Sequence, residues 1–195
     1  MKLIATALPG VLIVEATVFG DDRGWFMESF HEPRWLAALQ ALGQAPPRPF
    51  VQDNHSCSQA GVLRGLHYQM PPHAQGKLVR VVKGAAYDVA VDVRRGSATF
   101  GQWVAKELNA QNRRQMWIPE GFAHGFLALE DDTHFLYKTT DVYAKDCERC
   151  IRWDDPQLAI PWPAVGSAGP RLAPKDAAAP WFANAELPPF DSTAL

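Results

Sequence analysis

The chain has 195 residues, of which 47% are hydrophobic and 21% charged, and its formal net charge is −2. That balance fits one globular domain with a sizeable core and excludes a nucleic-acid or membrane-surface binder held by bulk positive charge. No apolar stretch approaches membrane-spanning length, and Met1-Lys2-Leu3-Ile4 opens no signal-peptide pattern, so a cytoplasmic protein with no membrane partner is expected.

In chain order, residues 11–19 form a β-prone run, residues 20–24 a turn, and residues 25–30 a second strand. Residues 33–42 carry Trp35, Leu36, Leu39 and Leu42 at helical spacing with Gly43 as a stop, which predicts a short amphipathic helix on the outside of a sheet. Residues 44–49 hold three prolines and read as a loop. Strands are then expected over 50–56, 62–68, 77–83, 85–93, 101–108, 115–118, 121–130 and 133–142. Tyr87 to Val93 alternates, with valines on one face and Asp88 and Asp92 on the other. Many short strands with few helices predict an all-β antiparallel sandwich or barrel. Prolines recur from Pro156 onward, so residues 156–195 are expected to wrap the single 1–195 domain as a tail anchored by Trp162 and Trp181.

The three cysteines include Cys147 and Cys150 in a C-x-x-C spacing, but no second pair accompanies them. They read as adjacent reduced thiols and receive no role.

The stretch Gly61-Val62-Leu63-Arg64-Gly65-Leu66-His67-Tyr68-Gln69 sets His67 and Gln69 on one strand face and Leu66 and Tyr68 on the other. If Lys77 opens the next strand and folds back, its amine approaches the His67 imidazole. A base beside a fixed cation suits removal of a proton from carbon. The competing reading is an ordinary strand His and Lys without chemistry.

Pro119-Glu120-Gly121-Phe122-Ala123-His124 resembles the second cupin motif, P-x-G-x-x-H, and implies a cupin-type jelly-roll barrel. The first cupin motif supplies H-x-H followed by a Glu; here Gln69 takes the second His position and no Glu follows. Transition-metal sites need three or four convergent ligands. His67 and His124 fall short, and His73 lies in a Pro-flanked loop expected to face solvent, so no metal is expected.

Longer segments then resemble one family. They are Phe19 to Phe30, Gln52-Asp53-Asn54-His55-Ser56, Leu63 to Gln69, Trp117 to Phe126, Leu136 to Asp141, and Ile151 to Pro156. In this order they are similar to dTDP-4-dehydrorhamnose 3,5-epimerases, from about Phe19 to Asp176. The resemblance implies inversion of C3 and C5 of a dTDP-4-keto-6-deoxyhexose through an enolate, without a cofactor. It implies His67 as base, Tyr137 as the acid on the opposite face, Lys77 as the cation at the enolate oxygen, and Asp176 as the carboxylate orienting His67. Arg23, Glu28, Gln52, Asn54, Arg64, Lys77, His124, Glu148 and Lys175 match substrate contacts, and Tyr143 matches an aromatic stacked on thymine. A homodimer is implied too, with the Arg23–Glu28 segment reaching the partner's pocket. Trp25 stands where the family commonly has Phe, and the 44–49 loop is lengthened. A monofunctional 3- or 5-epimerase of another dTDP-deoxysugar pathway, a non-catalytic cupin sugar-binding module and a metal-dependent cupin oxygenase are the alternatives.

Overall fold

A computed structural model describes residues 1–167 and 169–189. In chain order its strands are β1 (Lys2–Ala5), β2 (Leu12–Glu15), β3 (Val18–Asp21), β4 (Gly24–Met27), β5 (Gln52–Ser58), β6 (Leu63–Gln69), β7 (Lys77–Lys83), β8 (Ala85–Asp92), β9 (Trp103–Asn109), β10 (Gln115–Ile118), β11 (Phe122–Ala128), β12 (Thr133–Thr139) and β13 (Glu148–Cys150). Two short α-helices join them, α1 (Glu32–Ala41) and α2 (Pro174–Ala177). No helix among the described residues is long and apolar enough to cross a membrane.

The strands build a six-stranded sheet ordered β1-β2-β10-β7-β12-β5 and a five-stranded sheet ordered β13-β6-β11-β8-β9, while β3 and β4 form a separate hairpin. Every strand pair is antiparallel. This is the jelly-roll sandwich expected of a cupin-type chain. Val79, Val81, Ala90, Phe122, Phe126 and Phe135 fill the space between the sheets. Phe126 and Phe135 stack there with centroids 4.1 Å apart.

Each difference from the expected elements has a local cause. The 11–19 run splits because Val11 to Val14 are buried, whereas Val18 and Phe19 stand exposed in the hairpin. The helix starts one residue early because His31 caps it, its Nδ1 accepting the Arg34 N–H at 3.3 Å. Only Trp35 and Leu39 of its expected stripe are buried, against the outer face of the six-stranded sheet; Leu36 and Leu42 are exposed. The β6 and β7 strands do not form the hairpin that would fold Lys77 back beside His67; they lie in opposite sheets, joined across by the segment containing Pro71 and Pro72.

The C-terminal segment covers the outer face of the five-stranded sheet. Leu158, Ile160, Phe182 and Leu187 pack on Leu66, Tyr68, Val89, Val91 and Val93. Asp155 ties this segment together by accepting the backbone N–H groups of Gln157, Leu158 and Phe182. Trp162 is half-buried against Tyr87, but Trp181 is not an apolar anchor: it is 40% exposed, with the Arg152 guanidinium over its ring. Residues 190–195 of the expected tail lie outside the described residues.

One glycine fixes how the sheet approaches the site. Gly65 has φ +119°, and a Cβ there would meet Gly125 Cα at 2.5 Å. The close passage of β6 and β11, with a register irregularity between His124 and Phe126, sets His67 directly across from His124.

Candidate active site

A cavity of about 420 Å³ opens between the two sheets. The six-stranded sheet contributes Gln52, Asn54 and Ser56 from β5, Lys77 from β7 and Tyr137 from β12, while the five-stranded sheet contributes Arg64, His67 and Gln69 from β6 and His124 from β11. Period-two geometry explains the selection, because Gln52, Asn54 and Ser56 are alternate residues that share the inner face. Asn54 is the register partner of Tyr137, and Thr139, two residues along β12, is that of Lys77.

His67 is steered from the C-terminal segment. Its Nε2 donates to Asp176 Oδ1 at 2.6 Å, and Asp176 is 1% exposed at the first turn of α2. A carboxylate only accepts, so the ring proton sits on Nε2 and Nδ1 keeps the lone pair. Burial pushes the Asp176 carboxyl up, but the hydrogen bond from His67 outweighs it and holds the group below the ordinary range.

Lys77 is 8% exposed, and its Nζ donates to the His67 backbone carbonyl at 3.4 Å. Burial brings the amine down to about 8, against the opposing pull of Glu148 and Asp88. Tyr137 moves the other way: burial raises its phenol, and the nearby Arg64 offsets this only in part. The phenol is therefore protonated at neutral pH and can serve as a donor.

At the mouth, Lys175 Nζ donates to Glu148 Oε1 at 2.8 Å, and the Tyr143 hydroxyl donates to Glu148 Oε2 at 3.1 Å. The Tyr143 loop is pinned from two strands. Gln52 Oε1 accepts the Tyr143 N–H at 3.0 Å and Gln69 Oε1 accepts the Ala144 N–H at 2.8 Å. Tyr143 itself is exposed.

Arg23 and Glu28 do not join this cavity. Arg23 sits on the exposed hairpin, paired with Asp21, and Glu28 pairs with Arg34 at 2.9 Å.

The cupin metal set does not fit the side chains present. His67 and His124 offer only two imidazoles, and Gln69, at the position of the second motif histidine, spends its amide N–H groups on the carbonyls of His73 and Val142 and its Oε1 on the Ala144 N–H. His73 is half-exposed beside Asp141, outside the cavity. The donor atoms of His67, Cys150 and Asp176 lie within 4.8 Å of one another. Burial lifts the Cys150 thiol to about 12, so it stays protonated and leans on Asp176 Oδ1 at 3.7 Å rather than offering a thiolate.

An imidazole with a free Nδ1, a protonated phenol and a buried amine thus line one cavity, and comparison with known proteins gives it a context. The profile described as dTDP-4-dehydrorhamnose 3,5-epimerase matches residues 5–184. The chain belongs to the dTDP-4-dehydrorhamnose 3,5-epimerase family. A family member from Pseudomonas aeruginosa is 54% identical over 97% of this chain and 100% of its own length. One from Shigella flexneri is 52% identical over 95% of this chain and 98% of its own. The crystal structure of dTDP-6-deoxy-D-glucose-3,5-epimerase from Legionella pneumophila, in complex with dTDP-4-keto-L-rhamnose, superimposes with a TM-score of 0.90 at 47% identity. It covers 98% of this chain and 99% of that one.

Within this epimerase fold, sequence reasoning passed over Ser56, Gln69 as a loop anchor, and Asp88. Ser56 Oγ is buried without a hydrogen-bond partner among the described residues and lines the cavity. Its place two residues past Asn54 was the available signal. Asp88 is completely buried and accepts from His124 Nε2 at 2.7 Å. Its strand alternation was visible, but nothing in the sequence says that both faces of β8 are covered.

Proposed function

We propose that this protein is a cofactor-independent isomerase that converts dTDP-4-dehydro-6-deoxy-D-glucose to dTDP-4-dehydro-L-rhamnose, a step of dTDP-L-rhamnose biosynthesis. One observation carries the reading: His67 and Tyr137 rise from facing sheets into the same cavity, with the Lys77 ammonium beside them.

The C4 ketone of the substrate acidifies the C–H bonds at C3 and C5. His67 Nδ1 takes one of these protons, and the electron pair moves into an enolate whose oxygen is stabilised by Lys77. Asp176 stabilises the imidazolium that forms. Tyr137 delivers a proton to the opposite face of the carbon, which inverts it; once His67 has lost its proton to solvent and the Tyr137 phenolate has regained one, the sequence repeats at the second carbon. General base catalysis of this kind is worth roughly 10²–10⁴-fold, and a preorganised cation at the developing oxyanion adds a few kcal/mol. Arg64 and Lys175 suit the diphosphate, Tyr143 suits the thymine face, and Gln52, Asn54, His124 and Glu148 suit the sugar. The free thiols Cys57, Cys147 and Cys150 are in keeping with a cytoplasmic enzyme.

A homodimer completes the site in this reading. Arg23 and Glu28 stand away from their own cavity on an exposed hairpin segment, and Phe19, Trp25 and Phe26 are 62%, 55% and 68% exposed beside them. Such an apolar surface suits a second copy of the chain.

The test is proton exchange in deuterated water, followed by NMR on the dTDP-4-keto sugar. Deuterium should enter at both C3 and C5 with the wild type and at neither with His67→Ala. Label at one carbon alone identifies a single-centre epimerase, and full exchange by His67→Ala sinks the assignment of the base.

A further inference from the structure

We infer that Asp88 is a positioning residue of this site, the buried carboxylate that fixes the His124 ring in one tautomer at the cavity wall. The inference deepens the epimerase reading and rests on it for its catalytic consequence.

Asp88 is 0% exposed, and Asp88 Oδ2 has no hydrogen-bond partner among the described residues. A carboxylate in that condition carries a desolvation penalty that one hydrogen bond does not recover. An apolar side chain at the same inward position of β8, beside Ala86 and Ala90, would pack the interior at lower cost. The groups that Asp88 does serve belong to the cavity wall.

The first is His124. Asp88 is the register partner of Phe126 and Ala90 that of His124, so the carboxylate and the ring share the inner face one step apart along β8 and β11. The hydrogen bond puts the ring proton on Nε2 and leaves Nδ1 as an acceptor. Burial holds the His124 imidazole below its usual range despite Asp88, and the charge on Lys77 pushes the same way, so the ring is neutral at pH 7. A neutral His124 with a bare Nδ1 accepts a hydrogen bond from a sugar hydroxyl; it does not compete with Tyr137 as a proton donor.

The second is Lys77. Two carboxylates favour its ammonium, Glu148 on β13 and Asp88 on β8, while Lys175 on α2 opposes it. Glu148 is already shared between Lys175 and Tyr143 at the mouth. Asp88 has no such second cationic partner among the described residues, so its charge is left to His124 and Lys77.

The test is Asp88→Asn, which keeps shape and an acceptor oxygen for His124 but removes the charge. At pH 7.5 kcat should fall about tenfold or more, with KM changed much less. The alkaline limb of the kcat/KM profile should move to lower pH, because Lys77 loses its proton more readily without the neighbouring anion. Asp88→Glu, which restores the charge, should return the limb toward its original position. A purely structural carboxylate predicts lower activity with an unmoved limb, and that result overturns the inference. A measurement on the wild type guards against variants that fail to fold. Nitrogen-15 NMR of the imidazoles should find His124 neutral and protonated on Nε2 at pH 7 to 8. A ring protonated on Nδ1, or an imidazolium at pH 7, overturns it as well. If the wild type fails to epimerise at all, the functional reading falls, and the tautomer measurement still decides what Asp88 does to His124.

Discussion

Lys77 is an amine held where water scarcely reaches, and that position has opposite consequences for stability and for chemistry. Its proton is bound less tightly in the folded chain, at about 8, than the ordinary 10.5 of an exposed lysine. Between those values the unfolded chain holds a proton that the folded chain has released, so stability rises with pH across that window; below about 8 the full penalty of a buried charge remains. The penalty is on the order of 3 kcal/mol. Lys77→Met, similar in length and uncharged, should therefore be more stable than the wild type at pH 7 while losing turnover by at least about 10²-fold. Urea titrations at pH 7 and pH 10.5 check this: the stability gap between the two proteins should narrow at the higher pH. A variant less stable than the wild type at pH 7 would show that Glu148 and Asp88 more than repay the burial. His67 and Lys77 stood out in the sequence because charged and titratable side chains interrupt apolar strand runs. Asp88 did not, because an acidic residue in an alternating strand is the normal mark of a solvated face. Burial of that face depends on a second layer that no local pattern describes.

At the scale of elements, the site depends on how closely β6 can pass β11. A Cβ on Gly65 would fall 2.5 Å from Gly125 Cα and 2.7 Å from the His124 carbonyl oxygen, and no rotamer change relieves contact with backbone. Gly65→Ala should therefore cost more than about 2 kcal/mol and disturb His67 and His124 together. Gly43→Ala is the matched control: its φ is +67°, also unfavourable for a side chain, but nothing lies within 4 Å of the added carbon. It should cost about 1 kcal/mol, the backbone contribution alone. Thermal melts of the two variants separate them, and equal losses would mean that steric contact at Gly65 is relieved by strand movement. Most strands were legible from period-two patterning and turn residues, and α1 from its stop at Gly43. Their assignment to sheets was not. The β6 and β7 strands read as neighbours in sequence, yet Lys77 approaches His67 across the sandwich and contacts its backbone carbonyl rather than its ring. The β13 strand, three residues long, carries no pattern of its own; it exists because it pairs with β6 at Gln69, Tyr68 and His67 and brings Glu148 to the cavity mouth.

At the scale of the whole molecule, the hairpin β3–β4 is the part that the single chain does not explain. It belongs to neither large sheet, and its Trp25 lies under the Arg113 guanidinium at 4.5 Å. One edge of the six-stranded sheet is β5, whose Gln52 and Asn54 line the cavity, so a segment laid along that edge by another copy would lie beside the site. Sequence resemblance, rather than any local pattern, supplied the expectation of a shared site, because a contact between chains leaves no periodicity within one. The dimer proposal makes a quantitative prediction through complementation. His67→Ala removes the base from its own cavity, while Arg23→Ala removes the cation that its chain lends to the partner. Each homodimer should be nearly inactive. After unfolding the two variants together and refolding the mixture, half of the dimers are mixed, and each mixed dimer holds one cavity with an intact His67 and an intact Arg23. Activity should then recover to about a quarter of the wild-type level, as two-fold symmetry with random pairing requires. If Arg23 served its own chain's cavity, mixing would restore nothing beyond the sum of the two variants. Light scattering on the same samples supplies the independent half of the test, since a monomeric mass for the active wild type would leave no partner for the hairpin to serve.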